Sequence, residues 1–332
     1  MIKAGKGRVP EPQRIFASTP FKIFPQEGRY TGAMPVLKVI ILAIVQGLAE
    51  LLPVSSSAHV VVAEKLMGLD PSSPQMTLLL VMLHTGTMFA VIAYFWKTWK
   101  QAYFSSRDAF KRFAVQVIWA TFLTGIVGEV LKKIIEKTYF RGAPKAQIEM
   151  LFSHLELIAP ALLAVGVMIL IAGLWERLRE SAGSGSRETA GSAGGLSLRQ
   201  AGWMGIVQGL ALPFRGFSRS GSTISIGMMM GAAKETAELF SFALAVVLTP
   251  VVDAMELMRL IKAAHAAALT GTPIDLHASI AASLLGAVFS FIAGLLALKW
   301  LSSWLESGRW HWFGIYCLIA SVAVFYLHAR GF

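Results

Sequence analysis

Six long apolar runs constrain the fold of this chain of 332 residues more than any other feature. Each run approaches the ~20 residues that an α-helix needs to cross about 30 Å of hydrocarbon. Within a bilayer, only helices and closed barrels satisfy all of their backbone hydrogen bonds internally. We therefore predict an all-α integral membrane protein with about six transmembrane helices, near residues 76–96, 113–131, 155–175, 239–258, 279–301 and 311–328.

The composition favours the same class of protein. Hydrophobic residues make up 55% of the chain and charged residues 15%, whereas a soluble domain carries about 25% charged residues. The formal net charge is +11, but the basic residues lie between apolar runs rather than on one helix face. This pattern argues against a nucleic-acid partner and for contact with anionic membrane lipids. The single cysteine, Cys317, excludes an internal disulfide framework.

The hexapeptide Ile-Val-Gln-Gly-Leu-Ala occurs at residues 44–49 and again at 206–211, each time followed by a proline and several small hydroxyl residues. The apolar segments that contain the two copies, 36–67 and 201–231, are interrupted midway by Pro, Gly, Ser and charged residues. A lipid-facing helix does not tolerate such a break, because the freed backbone groups would find no partners. We therefore predict two broken, re-entrant helix hairpins that are buried in protein.

Each predicted hairpin is followed by three spans, so the second half enters the membrane from the side opposite to the first. This pattern predicts an inverted-topology repeat with a site near the midplane, where the broken helices meet. The distribution of basic residues among the loops favours one orientation of the protein in the membrane but does not determine it. We predict a polar basic tail that is mobile and lacks a signal-peptide core, a first repeat, a flexible linker and a second repeat, at residues 1–34, 35–175, 176–200 and 201–332.

The first broken segment combines a carboxylate with hydroxyl groups and an imidazole. A charged side chain at membrane depth costs about 2.5–3.5 kcal/mol on insertion scales, so Glu50 needs a cationic partner, water or a ligand. His59 follows Ser56 by three residues and would share its face in a helix. Glu50 and His59 are candidate bases and Ser56 is a candidate nucleophile, although a serine in this position also suits a helix N-cap. Nearby polar residues that could bind substrate are Gln46, Ser55 and Ser57.

The second broken segment, Ser218-Arg-Ser-Gly-Ser-Thr223, combines a guanidinium group with four hydroxyls. Glycines allow backbone N–H groups to form an anion-binding nest, and a helix from about Thr223 would direct its positive end to the same place. Arginine adds bidentate recognition of phosphate, although Arg219 could instead extend to the membrane interface. We predict a phosphate or pyrophosphate site that uses Arg219 in catalysis and in which substrate binding involves Arg215, Ser218, Ser220, Gly221 and Thr223.

The sequence predicts only a sparse metal site. No His/Cys spacing of the zinc type occurs, and Glu50 is the hard ligand nearest to the predicted phosphate site. A divalent cation, Mg²⁺ or Ca²⁺, that is held largely through substrate phosphates would need few protein ligands. His84 lies inside the first span and could line the same cavity.

Taken together, the two motifs resemble those of the undecaprenyl-diphosphate phosphatases of the bacitracin-resistance type. The resemblance runs from about residue 36 to 328 and includes the segments 84–87 and 238–242. It implies an enzyme of the bacterial inner membrane that acts from the periplasmic face and removes the terminal phosphate of undecaprenyl diphosphate, which recycles the lipid carrier for cell-wall synthesis. The family's functional residues would correspond to Glu50, Ser55, Ser56, His59 and Arg219, with Ser218, Ser220 and Thr223.

Two residues depart from the family pattern. Gln46 stands where many members carry Glu, which argues against a mechanism with two carboxylates, and Arg215 replaces the usual Pro before Gly216. Either Ser56 or His59 could attack to form a covalent intermediate, or Glu50 could activate water directly. The rival function is a transporter or flippase of lipid-linked phosphate, since inverted repeats are transporter architecture. The Glu50, Ser56 and His59 set favours the enzyme, and a homodimer is compatible with either function.

Overall fold

The computed structural model describes residues 35–50, 52–71, 73–138, 154–181, 195–269, 274–305 and 309–331, which form ten helices and no strand. The predicted tail, residues 1–34, and most of the predicted linker lie outside the described residues. The helices are α1 (Val36–Glu50), α2 (Ser56–Leu66), α3 (Pro74–Tyr103), α4 (Arg107–Thr138), α5 (Leu155–Ser181), α6 (Leu198–Ala211), α7 (Arg219–Met229), α8 (Lys234–Leu269), α9 (Leu276–Leu305) and α10 (Trp310–Ala329).

The prediction of an all-α membrane protein with six spans is confirmed. Six of the helices in the described part of the chain, α3, α4, α5, α8, α9 and α10, are long and apolar enough to cross a membrane. Their outward faces carry large apolar side chains, as expected for contact with lipid, and Ile118, Ile319 and Val322 are each about two-thirds exposed at 68%, 66% and 68%. The protein is therefore a multi-pass membrane protein.

The two duplicated segments each form a pair of short helices with a break between them. Helices α1 and α2 have 15 and 11 residues, and α6 and α7 have 14 and 11. At 1.5 Å per residue none of the four is longer than about 23 Å, so none spans a bilayer alone. The helix–break–helix form agrees with the sequence, while the re-entry of these pairs into the membrane stays a prediction.

Helices of the two halves pack against one another across the molecule. Helix α5 lies along α10, α3 contacts α8 and α9, α1 contacts α9, and α4 contacts α6. In the predicted repeat, α1 to α5 correspond in order to α6 to α10. If each helix is replaced by its counterpart, the α1–α9 pair becomes the α6–α4 pair, and the α5–α10 and α3–α8 pairs stay the same. This pairing is compatible with the predicted repeat, and it makes each half depend on the other for burial.

Glycines allow some of these helices to touch backbone to backbone. A Cβ atom added to Gly86 of α3 would lie 2.1 Å from the carbonyl oxygen of Ala287, and one added to Gly205 of α6 would lie 2.3 Å from that of Ala120. Both separations are far below van der Waals contact. Small residues at such crossings are typical of membrane helices, which associate through close packing.

Candidate active site

Glu50 is the last residue of α1, and the turn that follows it directs the chain into α2. Ser55 is the residue before α2 and has a φ of 65°, the left-handed region that residues with a side chain seldom occupy. Strained backbone of this kind costs about 1–3 kcal/mol and persists where surrounding contacts impose it. The turn places the hydroxyl of Ser56, the first residue of α2, beside the Glu50 carboxylate.

Helix α7 begins at Arg219, so the predicted start near Thr223 is wrong by one turn. The reason is local, because the Ser218 hydroxyl accepts a hydrogen bond of 3.1 Å from the backbone N–H of Gly221 and caps the helix. Gly216, before the cap, has a φ of 106°, and a Cβ there would lie 2.6 Å from the carbonyl oxygen of Ile158. Glycine is therefore required at this position for both its backbone freedom and its lack of a side chain.

The Glu50 carboxylate lies at the centre of a cluster built from four helices. Arg219 Nη2 donates to Oε1 at 2.9 Å, and Gln46 Nε2 donates to Oε2 at 2.7 Å. The Ser56 hydroxyl also donates to Oε2, and Nε2 of His84 lies 3.3 Å from the same oxygen. Arg219 thus pairs with the carboxylate of the other half rather than extending to the membrane interface.

A small cavity opens beside this cluster, between α3 and α8. Glu50, His84 and Arg219 form its polar end, and Thr249 adds a hydroxyl. The remaining walls are apolar side chains, Met88, Val91, Phe242, Ala245 and Val246. A ligand that combines an anionic head with a hydrocarbon chain matches both parts of this surface.

His59 shares α2 with Ser56 but makes its hydrogen bonds elsewhere. Its Nδ1–H donates to the Ser55 carbonyl oxygen at 2.8 Å, and its Nε2 accepts from the Tyr316 hydroxyl at 2.6 Å. The His59 and Tyr316 rings also stack, with centroids 5.7 Å apart. The structure therefore brings Ser56 to Glu50 and turns the His59 ring towards α10.

The other predicted binding residues lie in three places. Ser55 immediately precedes α2 and Ser57 lies in its first turn, with their hydroxyls 3.4 Å apart. Thr223 and Ser220 are buried, and the Thr223 hydroxyl bonds Ser241 of α8 at 2.6 Å, so it fastens α7 to a span. Arg215 lies in the loop between α6 and α7 and acts electrostatically on both Glu64 and His84.

A comparison of the whole chain with known proteins places this cluster in context. Residues 39–323 match the family described as bacitracin resistance protein BacA. The chain belongs to this family. The match includes both broken helix pairs and therefore both Glu50 and Arg219, and it confirms the resemblance seen in the two motifs.

Several relatives of the BacA family are similar over most of the chain. Undecaprenyl-diphosphatase 2 of Acinetobacter baylyi is 54% identical over 293 residues, which is 88% of this chain and 98% of the relative. Undecaprenyl-diphosphatase 2 of Burkholderia orbicola is 33% identical over 295 residues, covering 86% of this chain and 94% of the relative. Undecaprenyl-diphosphatase 1 of Burkholderia pseudomallei is 32% identical with the same coverage of 86% and 94%.

Two half-buried polar residues near the BacA cluster were absent from the predicted site. His84 was expected only to line the cavity, and the structure places it against Glu50. Asp253 of α8 accepts a hydrogen bond of 2.5 Å from Thr85, the neighbour of His84. The sequence signal for Asp253 was a carboxylate within the apolar run 239–258, which also contains Glu256. Ionisable residues in such runs tend to be functional.

The cluster does not form a complete metal centre. Within the described ranges, no group of three His, Cys, Asp or Glu residues is arranged to hold a metal ion. Glu50 nevertheless offers a hard carboxylate oxygen, with the Ser56 hydroxyl beside it. These two groups fit a Mg²⁺ or Ca²⁺ ion that takes most of its ligands from substrate phosphates and water, rather than one held permanently by protein.

Proposed function

We propose that this protein is a membrane phosphatase that hydrolyses undecaprenyl diphosphate to undecaprenyl phosphate and inorganic phosphate. The observation that carries the proposal is the Glu50–Arg219 pair, formed between the two halves at the polar end of a cavity with apolar walls. The names of the relatives support the same activity, and they do not favour the transporter that the repeat also suggested. The Ser56–Glu50 contact supports chemistry as well, since binding alone has no need of it.

Arg219 and the first turn of α7 are the proposed diphosphate-binding groups. The guanidinium presents parallel N–H donors that suit phosphate oxygens, and the helix N-terminus adds partial positive charge. When substrate phosphate takes Arg219 as its partner, Glu50 Oε1 loses its hydrogen bond and becomes available as a base. The apolar side chains of α3 and α8 then contact the first part of the prenyl chain.

Attack on the terminal phosphorus can begin from either of two nucleophiles. In the covalent route, Glu50 takes the Ser56 proton, the Ser56 oxygen bonds to phosphorus, and undecaprenyl phosphate leaves. Water then hydrolyses the phosphoserine and releases inorganic phosphate. In the direct route, Glu50 takes a proton from water, which attacks phosphorus itself. The existing hydrogen bond from Ser56 to Glu50 supports the first route, and in both routes Arg219 stabilises charge on the phosphoryl oxygens.

A divalent cation, Mg²⁺ or Ca²⁺, belongs to the proposal as a group carried mainly by substrate. Glu50 and Ser56 would be its protein ligands, and Gln46 would orient Glu50. When bound, such an ion neutralises charge on the diphosphate oxygens. The presence of Gln46 rather than a second carboxylate agrees with a cation that depends on substrate for most of its ligands.

We further propose that the protein acts in the bacterial inner membrane, with its site open to the periplasmic side. There it would return the lipid carrier of cell-wall synthesis to the monophosphate form. The surrounding partners are membrane lipids. The proposal holds for a monomer and a homodimer alike, because Glu50 and Arg219 belong to one chain.

The test is phosphate release from undecaprenyl diphosphate by the detergent-purified protein, with and without a chelator. Arg219→Ala and Glu50→Gln should each lower kcat at least a hundredfold, because each removes charge from the reacting centre. Arg199→Ala, which removes an exposed arginine at the start of α6, should leave kcat unchanged. Near-normal turnover by Arg219→Ala would overturn the assignment. Release that is unaffected by the chelator would remove the cation from the proposal.

A further inference from the structure

His84 connects the Glu50 carboxylate to the long spans. Its Nε2 lies 3.3 Å from Glu50 Oε2, and its ring lines the same cavity. The other three partners of the carboxylate, Gln46, Ser56 and Arg219, belong to the short helices α1, α2 and α7. Among the described residues, His84 is therefore the partner of Glu50 that a membrane-spanning helix provides.

The imidazole of His84 is itself held in place. Its Nδ1 lies 2.8 Å from the Leu80 carbonyl oxygen one turn earlier, which limits rotation of the ring. Helix α3 is fastened on two sides at this level. The Thr85 hydroxyl donates to Asp253 of α8 at 2.5 Å, and the buried Ser290 hydroxyl of α9 donates to the Leu83 carbonyl oxygen at 2.9 Å.

Glu50, by contrast, lies where α1 ends and the chain turns. Its Oε1 is bonded to Arg219, the group that substrate phosphate would engage in the proposed mechanism. Once that bond is exchanged, the contacts at Oε2 alone keep the carboxylate directed at the reacting phosphorus. Gln46 and Ser56 belong to the same helix pair as Glu50, whereas His84 belongs to the long span α3.

We infer that His84 is a positioning residue of the phosphatase site, which aligns Glu50 with the frame formed by α3, α8 and α9. The inference rests on the proposed function and adds a residue to its machinery. His84 acts through Glu50, so its loss should impair turnover more than substrate binding. A misplacement of a reacting group by about 1 Å can reduce the rate by about a hundredfold.

The first experiment compares His84→Ala with His84→Gln in the full chain, with kcat and KM measured for phosphate release from undecaprenyl diphosphate. His84→Ala should lower kcat about 10- to 100-fold and change KM by less than about threefold. The amide N–H of Gln offers a hydrogen-bond donor near Glu50 Oε2, so His84→Gln should recover most of kcat. The control is His311→Gln, which replaces a buried histidine of α10 outside the cluster and should leave kcat near the wild-type value.

Three results would contradict a positioning role. These are an unchanged kcat in His84→Ala, an effect confined to KM, and a His84→Gln variant that is no more active than His84→Ala. The last result would mean that the side chain does not act by donating a hydrogen bond to Glu50.

A second experiment tests the contact without turnover. The change in unfolding temperature caused by His84→Ala is measured in the wild-type chain and in a Glu50→Ala chain. If His84 and Glu50 interact, His84→Ala should lower the unfolding temperature less when Glu50 is already absent. Equal decreases in both chains would overturn the inference. If the wild-type protein releases no phosphate, the proposed function fails, and this cycle still decides whether His84 holds Glu50.

Discussion

At the scale of single residues, the two copies of the duplicated hexapeptide have different roles. Gln46, in the first copy, donates to Glu50. Gln208, at the same place in the second copy, is buried and donates to Thr124 of α4 at 3.2 Å. The residue that corresponds to Glu50 in the second copy is Leu212. The helix that contains the first copy therefore ends in a reactive group, whereas the second copy contributes to packing.

This difference predicts the relative effects of three substitutions. Gln46→Ala removes one hydrogen bond to a charged group, worth about 1.5 kcal/mol, and should lower kcat about tenfold. Glu50→Gln removes the proposed base and should lower kcat far more. Gln208→Ala, the matched control, should lower the unfolding temperature and leave kcat unchanged. Phosphate-release kinetics and thermal unfolding in detergent measure these effects, and a larger loss in Gln46→Ala than in Glu50→Gln would assign the chemistry to Gln46.

The left-handed backbone of Ser55 leads to a prediction about stability. Ser55→Gly relieves the strain of a side chain at a φ of 65°, whereas Ser55→Ala retains it. The two substitutions remove the same hydroxyl, so their difference reports on the backbone and on the Cβ atom that only Ala retains. We expect Ser55→Gly to be more stable than Ser55→Ala by about 1 kcal/mol, measured by thermal unfolding in one detergent. Equal stabilities would show that the turn is not strained.

At the scale of helices, the long spans hold the short helices in place through single polar contacts. The Thr223 hydroxyl bonds Ser241 of α8, and Trp310 of α10 donates to Ser225 of α7 at 3.1 Å. These residues are buried. Hydroxyl and indole groups that found no partner inside the membrane would be costly, so each contact also specifies how α7 lies against its neighbours. Arg219 owes its direction to this fixed placement of α7.

Close helix crossings predict which glycines tolerate a methyl group. Gly205→Ala would place its Cβ 2.3 Å from a backbone oxygen of α4, so α4 and α6 must separate. Overpacking of this kind costs about 1–3 kcal/mol, and we expect a clear fall in unfolding temperature. Gly125→Ala, on α4 itself, meets no atom within 4 Å and should be neutral or slightly stabilising. A similar fall in both variants would mean that the close approach of α4 and α6 at Gly205 is not the cause.

At the scale of the whole molecule, the site exists only when the two halves meet. Glu50 comes from the first half and Arg219 from the second, and the α5–α10 and α3–α9 pairs also join the halves. Each half alone would expose the surfaces that these pairs bury. A charged residue without its partner at membrane depth would add to that cost.

A divided chain tests this dependence. Fragments 1–190 and 191–332 produced separately should release no phosphate from undecaprenyl diphosphate. The same fragments produced together should regain activity, because the interface between the halves is extensive and carries the Glu50–Arg219 pair. The uncut chain is the reference, and co-purification measures assembly. Activity in either fragment alone would contradict a site shared between the halves.

Much of the fold and part of the site followed from local features of the sequence. Membrane spans and the breaks between them depend on runs of neighbouring residues, so α3 to α5 and α8 to α10 were predictable. The family followed from two short motifs, and so did the choice of Glu50, Ser56 and Arg219 as candidates. The start of α7 was missed by one turn, because a cap at Ser218 and one near Thr223 look alike in a run of hydroxyl residues. The side to which the His59 ring turns depends on Tyr316, which is 257 positions away.

The order of the residues alone indicates that this chain crosses a membrane, that its two polar segments interrupt apolar helices, and which residue types could bind a diphosphate. The length of each apolar run and the need to pair every backbone N–H and C=O group within the membrane decide these properties, and both depend on neighbouring residues. Which polar side chains meet is a property of the folded molecule. It joined Glu50 to Arg219 across 169 positions and added His84 to the same carboxylate. Such contacts depend on how packed helices cross and rotate, and a buried charge keeps only those partners that packing brings within hydrogen-bonding distance.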